Sequence, residues 1–197
     1  EIWDKANLVI REKQLSSRKL ITMSKVEYIA TTDDVIDSLE YHKKIREDES
    51  FPVVVAPSFR TDNLLLIRRK EYSDYIKKLS YVSGVKVNSI SSLKAAVQSR
   101  LDFFCENGCK FSDIGIEFFP HSICSEKEAD IIFIKALSGE SVSDDEFDGF
   151  LGHMYLFLAE EYESRDLVMQ WHLAVKRNAN TEQYKRIGAD CGSDCMG

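Results

Sequence analysis

Pro52-Val53-Val54-Val55-Ala56-Pro57-Ser58-Phe59-Arg60 is the stretch that decides the fold. Its first five residues form a short, continuous apolar run of the kind found in strands buried on both faces, and Pro57 through Arg60 close it. Helical stretches follow around 70 to 82 and 89 to 105, and in the second of these Leu93, Val97, Leu101 and Phe104 form one apolar stripe. Strand, polar loop, helix is therefore the unit to look for on either side.

Toward the N-terminus, Ile2, Trp3, Ala6, Val9 and Ile10 fall at helical spacing within residues 2 to 13, and a second helical piece lies near 17 to 24. Val26-Glu27-Tyr28-Ile29-Ala30 then reads as a strand. Thr31, Thr32, Asp33 and Asp34 are suited to capping a helix that continues through Ile36, Leu39 and Ile45. Toward the C-terminus a third strand is expected from Lys110 to Phe118. Two helices follow, each announced by a capping box, Ser125 with Glu128 and Ser143 with Glu146. The second carries Phe147, Phe150, Leu151, Met154 and Leu158 on one face. Leu167 to His172 reads as the fourth strand, and it ends in the polar loop 176–181 before another helix. Strands separated by helices call for parallel pairing, so the class is α/β.

At 197 residues the chain is short for a complete barrel of eight strand-helix units, which needs about 250. It starts without methionine and stops at Cys195-Met196-Gly197, so a single domain that is one internal segment of a larger barrel is expected: a helical lead-in over 1–24, then successive strand-helix units over 25–197. No apolar run approaches the ~20 residues of a membrane span. The net charge of −7, with basic residues scattered apart from Arg68-Arg69-Lys70, argues against a nucleic-acid partner. No secretion signal is read at Glu1-Ile2-Trp3-Asp4, and five cysteines are an odd number for a disulfide framework, so free thiols and a cytoplasmic location are expected.

In parallel α/β folds functional groups gather at the C-terminal strand ends. That rule selects Thr31 to Asp34, Ser58 to Arg60, Ser112 with Asp113, and His172 through Asn180. Asp33 and Asp34 read either as first-turn carboxylates of a helix or as catalytic groups. Arg60 is a surface residue or a guanidinium fork for a substrate carboxylate. His172 is a core histidine, a metal ligand or an acid/base group. Cys105 with Cys109 and Cys191 with Cys195 share a zinc-like spacing, but the pairs lie far apart in the chain. Phosphate loops, a Gly-x-Ser-x-Gly elbow and His-x-His or His-Glu-x-x-His motifs are not found in these residues.

Several ordered stretches resemble the glucuronate (uronate) isomerase family. They are Thr31-Thr32-Asp33-Asp34 with Asp37 through His42, Ala56 through Arg60, Arg100 through Phe104 with Asn107-Gly108-Cys109 and Ser112-Asp113, and Met169-Gln170-Trp171-His172 with Arg177-Asn178 and Asn180-Thr181. The resemblance implies part of a (β/α)8 TIM-like barrel related to the amidohydrolases. It implies interconversion of hexuronate aldose and ketose forms, D-glucuronate with D-fructuronate and D-galacturonate with D-tagaturonate. It also implies His172 and Asp33 as catalytic residues, Arg60, Thr32, Asp113, Arg177 and Asn178 as substrate-binding residues, and His172 as a ligand to a divalent metal, zinc first.

The family's His-x-His and its last-strand aspartate have no counterpart here, so the metal is expected only in the complete protein and not held tightly by this segment. Three departures stand out: Ile114 replaces a histidine, Ala179 an asparagine, and Gly188-Ala189-Asp190-Cys191-Gly192 a Gly-Pro-Asp-Thr-Gly tail. The isolated segment, with two open strand edges, is expected to be inactive and to associate. A homo-oligomer fits the resemblance. The other readings are a non-catalytic sugar-acid binding or structural module and a metal-dependent hydrolase of the amidohydrolase group.

Overall fold

In the computed structural model, which describes residues 1–116, 118–173, 175–189 and 191–196, the chain begins with helices α1 (Ile2–Glu12) and α2 (Ser17–Met23). It continues through β1 (Tyr28–Asp34), α3 (Glu40–Arg46), β2 (Val54–Arg60), α4 (Asp62–Leu65), α5 (Tyr72–Ser83), α6 (Ile90–Glu106) and β3 (Phe111–Ile116). Then come α7 (Glu126–Leu137), α8 (Asp144–Glu163), β4 (Trp171–Leu173), β5 (Val175–Lys176), α9 (Thr181–Ile187) and β6 (Cys195–Met196). Strands β1 to β4 form one sheet in chain order, all parallel, with helices between them. The fold is α/β, as expected.

Strands β1, β2 and β4 sit further along the chain than local patterning places them. Thr31 to Asp34 belong to β1 and cap no helix, because pairing with Pro57 to Arg60 of β2 draws them into the ladder. Tertiary pairing here overrides the low strand propensity of aspartate. Helix α3 begins only at Glu40, after Leu39 has turned through the left-handed region at φ 54°. Arg100 of α6 holds that turn, donating to the carbonyls of Val35 at 2.8 Å and Asp37 at 2.6 Å. Pro57 lies inside β2 but ahead of Ser58, where the pairing with β3 begins, so its missing N–H interrupts no bond of that ladder.

The third strand is shorter than Lys110 to Phe118, and Glu117 lies outside the described residues. In the expected fourth strand, Val168 makes a single bridge to Phe111, and the ladder proper is Trp171 to Leu173 against Ile114 to Ile116. The antiparallel pair β5–β6 has no forerunner in the sequence pattern.

One face of the sheet carries the core. The stripe Leu93, Val97, Leu101 and Phe104 of α6 is fully buried, with Phe59, Phe133, Phe150 and Met154. Both foreseen capping boxes form, on α7 and α8. Lys135 donates to both carboxylate oxygens of Glu146 at 2.9 Å and Ser143 N donates at 2.7 Å, which holds Glu146 down to about 2. A carboxyl depressed on folding stabilises above its ordinary range, and that contribution is lost as pH falls toward the folded value. Glu146→Gln is therefore expected to lower the melting temperature at neutral pH. Melting curves of the two proteins should converge as pH drops from about 4.5 toward 2.

Helix α8 also carries a glycine that only glycine can fill. A Cβ on Gly152 would sit 2.0 Å from the backbone oxygen of Ser122. That segment is pinned from α8 by Asp148, which accepts from Ser122 N at 2.9 Å and Oγ at 2.8 Å. Gly152→Ala is expected to destabilise by about 1–3 kcal/mol, read from urea denaturation; an unchanged midpoint would show that the segment yields freely.

The opposite face of the sheet is open. Tyr28, Val54 and Val168 are 39, 54 and 55% exposed there or at its margin, and no side chain of α1 or α2 is buried. In a closed barrel such inward side chains are packed in layers. Among the described residues no helix is long and apolar enough to cross a membrane.

Candidate active site

Successive strand residues point to opposite faces, and the register sorts the candidates accordingly. Asp34, Arg60 and Asp113 stand abreast on β1, β2 and β3. Asp33, Phe59 and Ser112 stand abreast on the helix side, where Phe59 is wholly buried.

Asp113 is the centre of the first group. Thr32 Oγ1 reaches across β2 and donates to Asp113 Oδ2 at 2.8 Å. His172 Nε2 lies 2.8 Å from Asp113 Oδ1, and Arg60 Nη1 lies 3.8 Å from Oδ2. Asp113 is 6% exposed, whereas the His172 ring is about half exposed. Nε2 is thus the ring nitrogen that faces the Asp113 carboxylate, and the Gln170 side-chain amide nitrogen lies 3.4 Å from the same atom. Thr32, Arg60, Asp113 and His172, dispersed over 140 positions of sequence, are thus brought together.

The structure does not bring Asp33, expected as a catalytic partner of His172, into this group. Its Oδ2 accepts from Thr31 Oγ1 at 2.6 Å and Ser58 N at 3.3 Å, and lies 3.7 Å from His42 Nε2 on α3. The physical reason is strand alternation, which turns Asp33 away from Thr32 and Asp113. Asp34 instead binds Asn63 and Tyr75, each at 2.8 Å.

Arg60 is already engaged. Its Nε and Nη2 donate to the two oxygens of Asp62, at 2.9 and 3.1 Å. Those hydrogen bonds push its pKa further up, so the guanidinium is permanently charged. Asp62 was not among the residues singled out by sequence, although an Arg-x-Asp spacing at a strand end is the signal that marks it. Arg69 was likewise missed.

Arg60, Asp62, Arg69, Gly115, Arg177 and Asn178 line a cavity of about 750 Å³, whose apolar wall includes Phe147, Leu151 and Tyr155. Its size suits a small ligand. Arg60 is the member it shares with the Asp113 cluster. A second cavity, of about 790 Å³, lies between Arg68–Lys70 and the 139–144 turn and shares Arg69 with the first.

Ile114 is buried in the core and pairs in register with Trp171. Ala179 donates its N–H to Ser193 O at 2.9 Å, and Asp190 of the divergent tail lies outside the described residues. All five cysteine sulfurs are free, and burial pushes Cys109 up to about 11. Among the described residues no three His, Cys, Asp or Glu side chains are placed to hold a metal. His172 and Asp113, in contact with each other at 2.8 Å, do not make a metal centre by themselves.

Parallel strands in chain order, alternating with helices and presenting an Asp-His pair and arginines at their C-terminal ends, make up part of a (β/α)8 TIM-like barrel. The crystal structure of uronate isomerase from Thermotoga maritima superposes with a TM-score of 0.86 at 26% identity, over 94% of this chain and 41% of that one. Glucuronate isomerase from Caulobacter crescentus gives 0.82 at 26% identity, over 92% and 37%. A family model described as glucuronate isomerase matches residues 1–197, and the chain belongs to that family. The uronate isomerase of Clostridium perfringens is 43% identical over 195 residues, and that of Endomicrobium trichonymphae 42% over 196. In both cases the chain spans 42% of the relative's length.

Proposed function

We propose that the full-length protein carrying this chain is a hexuronate isomerase that interconverts D-glucuronate with D-fructuronate and D-galacturonate with D-tagaturonate. The observation that carries this reading is the Asp113–His172 pair at 2.8 Å, set at the strand ends beside Arg60. Aldose-ketose isomerisation moves a proton between C1 and C2 and needs a positioned acid/base group. His172, with Nε2 facing the Asp113 carboxylate at 2.8 Å, is the group to take up and return that proton. Thr32 fixes the second carboxylate oxygen of Asp113, and Arg60, Arg177 and Asn178 offer donors to the substrate carboxylate and hydroxyls. Asp33, in this reading, supports β1 from the helix side through Thr31 and Ser58.

The reading treats residues 1–197 as one domain, cytoplasmic, that acts only when the rest of the barrel is present. A divalent metal, zinc first, would take its ligands from outside this chain, since the one lone pair of the neutral His172 ring cannot serve both a metal and the proton; bound, it would polarise the substrate carbonyl. Assembly into a homo-oligomer belongs to the same proposal.

The test is ketose formation from D-glucuronate and D-galacturonate by the full-length protein with added zinc. Turnover of either acid supports the reading. Binding without turnover would sink it in favour of a sugar-acid binding module.

A further inference from the structure

The C-terminal residues fold back onto the polar loop that follows β4. Strands β5 and β6 pair antiparallel, and Ala179 N donates to Ser193 O at 2.9 Å. At the centre of this return stands Asp194. Its Oδ1 accepts from the backbone N–H of Asn178 at 2.9 Å, and its Oδ2 accepts from Arg177 Nη1 at 2.5 Å. Asn178 sits at φ 53°, a left-handed turn position that asparagine accepts more readily than most residues, and its N–H is the one that Asp194 takes. The hydrogen bond from Asn178, then the one from Arg177, hold the Asp194 carboxyl below the usual range.

One edge of the Arg177 guanidinium is taken by Asp194, and the other points into the cavity. Arg177 Nη2 lies 3.9 Å from where a Cβ on Gly115 would be, and Asp62 Oδ1 lies 3.5 Å from the same point. Arg177 and Asp62, the carboxylate that holds Arg60, thus both approach Gly115, and Arg177 and Arg60 line the same cavity. We propose that Asp194 is a positioning residue for carboxylate recognition: it holds Arg177 and Asn178 so that the free edge of the guanidinium is presented to a sugar acid in this cavity. The inference rests on the hexuronate reading for the identity of the ligand. It goes beyond that reading in assigning a role to the returning tail.

As a plain ion pair this contact would do little, since the side chains of Arg177 and Asp194 are 47 and 32% exposed and such pairs contribute little stability. Positioning predicts a different signature. In the full-length protein, Asp194→Ala is expected to raise KM for D-glucuronate about tenfold while kcat changes less than about threefold and the melting temperature holds. Asp194→Asn, which keeps an acceptor for the Asn178 amide, should fall between. In an Arg177→Ala background, Asp194→Ala should add little to the KM defect, because both substitutions remove the same contact.

Amide hydrogen exchange over residues 176–181, measured without substrate, should speed up in Asp194→Ala. Unchanged KM, fully additive penalties or unchanged exchange would each overturn the proposal. Calorimetric titration with D-glucuronate separates it from the reaction: binding that weakens in Asp194→Ala, in a protein with no turnover, upholds Asp194 and sinks only the isomerase reading. A wild-type protein that neither binds nor converts either acid removes both.

Discussion

Asp113→Asn in the full-length protein is expected to lower kcat/KM by about 10²–10⁴-fold, the range lost when general acid-base catalysis fails. Thr32 Oγ1 donates to Oδ2 at 2.8 Å, and His172 Nε2 lies 2.8 Å from Oδ1. The negative charge of Asp113 is the group that would stabilise the His172 ring as it takes up a proton. An amide keeps the volume and an acceptor for Thr32 but removes that charge. Steady-state kinetics with D-glucuronate measure the loss. His172→Gln should cost a similar factor, and the double variant should be no worse than the more impaired single one, as the proposed shared role of the two residues requires. A change of less than about threefold in Asp113→Asn would show that His172 does not depend on this carboxylate.

Phe59→Ala is expected to destabilise by about 3–5 kcal/mol, the cost of deleting a buried aromatic and leaving a cavity. The ring is 0% exposed and packs edge-on against Phe104, at 5.0 Å between centroids, and against Tyr162, at 6.4 Å. Those partners come from α6 and α8, so the residue ties β2 to two helices at once. It also stands between Ser58, whose N–H binds Asp33, and Arg60, whose fork binds Asp62. Equilibrium urea denaturation gives the size of the loss, and Phe59→Leu, which keeps much of the apolar volume, should lose less. A midpoint shift worth under about 1 kcal/mol for Phe59→Ala would mean that the helices close over the gap.

Much of this molecule is legible in one dimension because its signals are local. The boxes Ser125/Glu128 and Ser143/Glu146 start helices where they stand, since capping joins groups three residues apart. The stripe Leu93, Val97, Leu101 and Phe104 buries as a stripe because helical period maps spacing directly onto a face. Parallel pairing follows from the length of the connections, and the family follows from ordered motifs along the chain.

The site is less legible, and the reason is register. Thr31-Thr32-Asp33-Asp34 is a string of polar residues with no period, so nothing local says whether it caps a helix or ends a strand. Only pairing with Pro57 to Arg60 makes it strand, and only the resulting alternation sends Asp33 toward His42 and Thr32 toward Asp113. Asp62 binding Arg60, and Asp194 binding Arg177 and Asn178, likewise depend on where α4 and the returning tail lie in space.

By itself, then, the sequence determined the α/β class, the helices and their caps, the family, and a short roster of polar residues at strand ends. The tertiary structure decided which of those residues share a face and which touch. The physical reason is that helix period and capping are contacts between near neighbours, whereas a side chain's partner across a sheet is set by the pairing of segments about 20 to 80 residues apart.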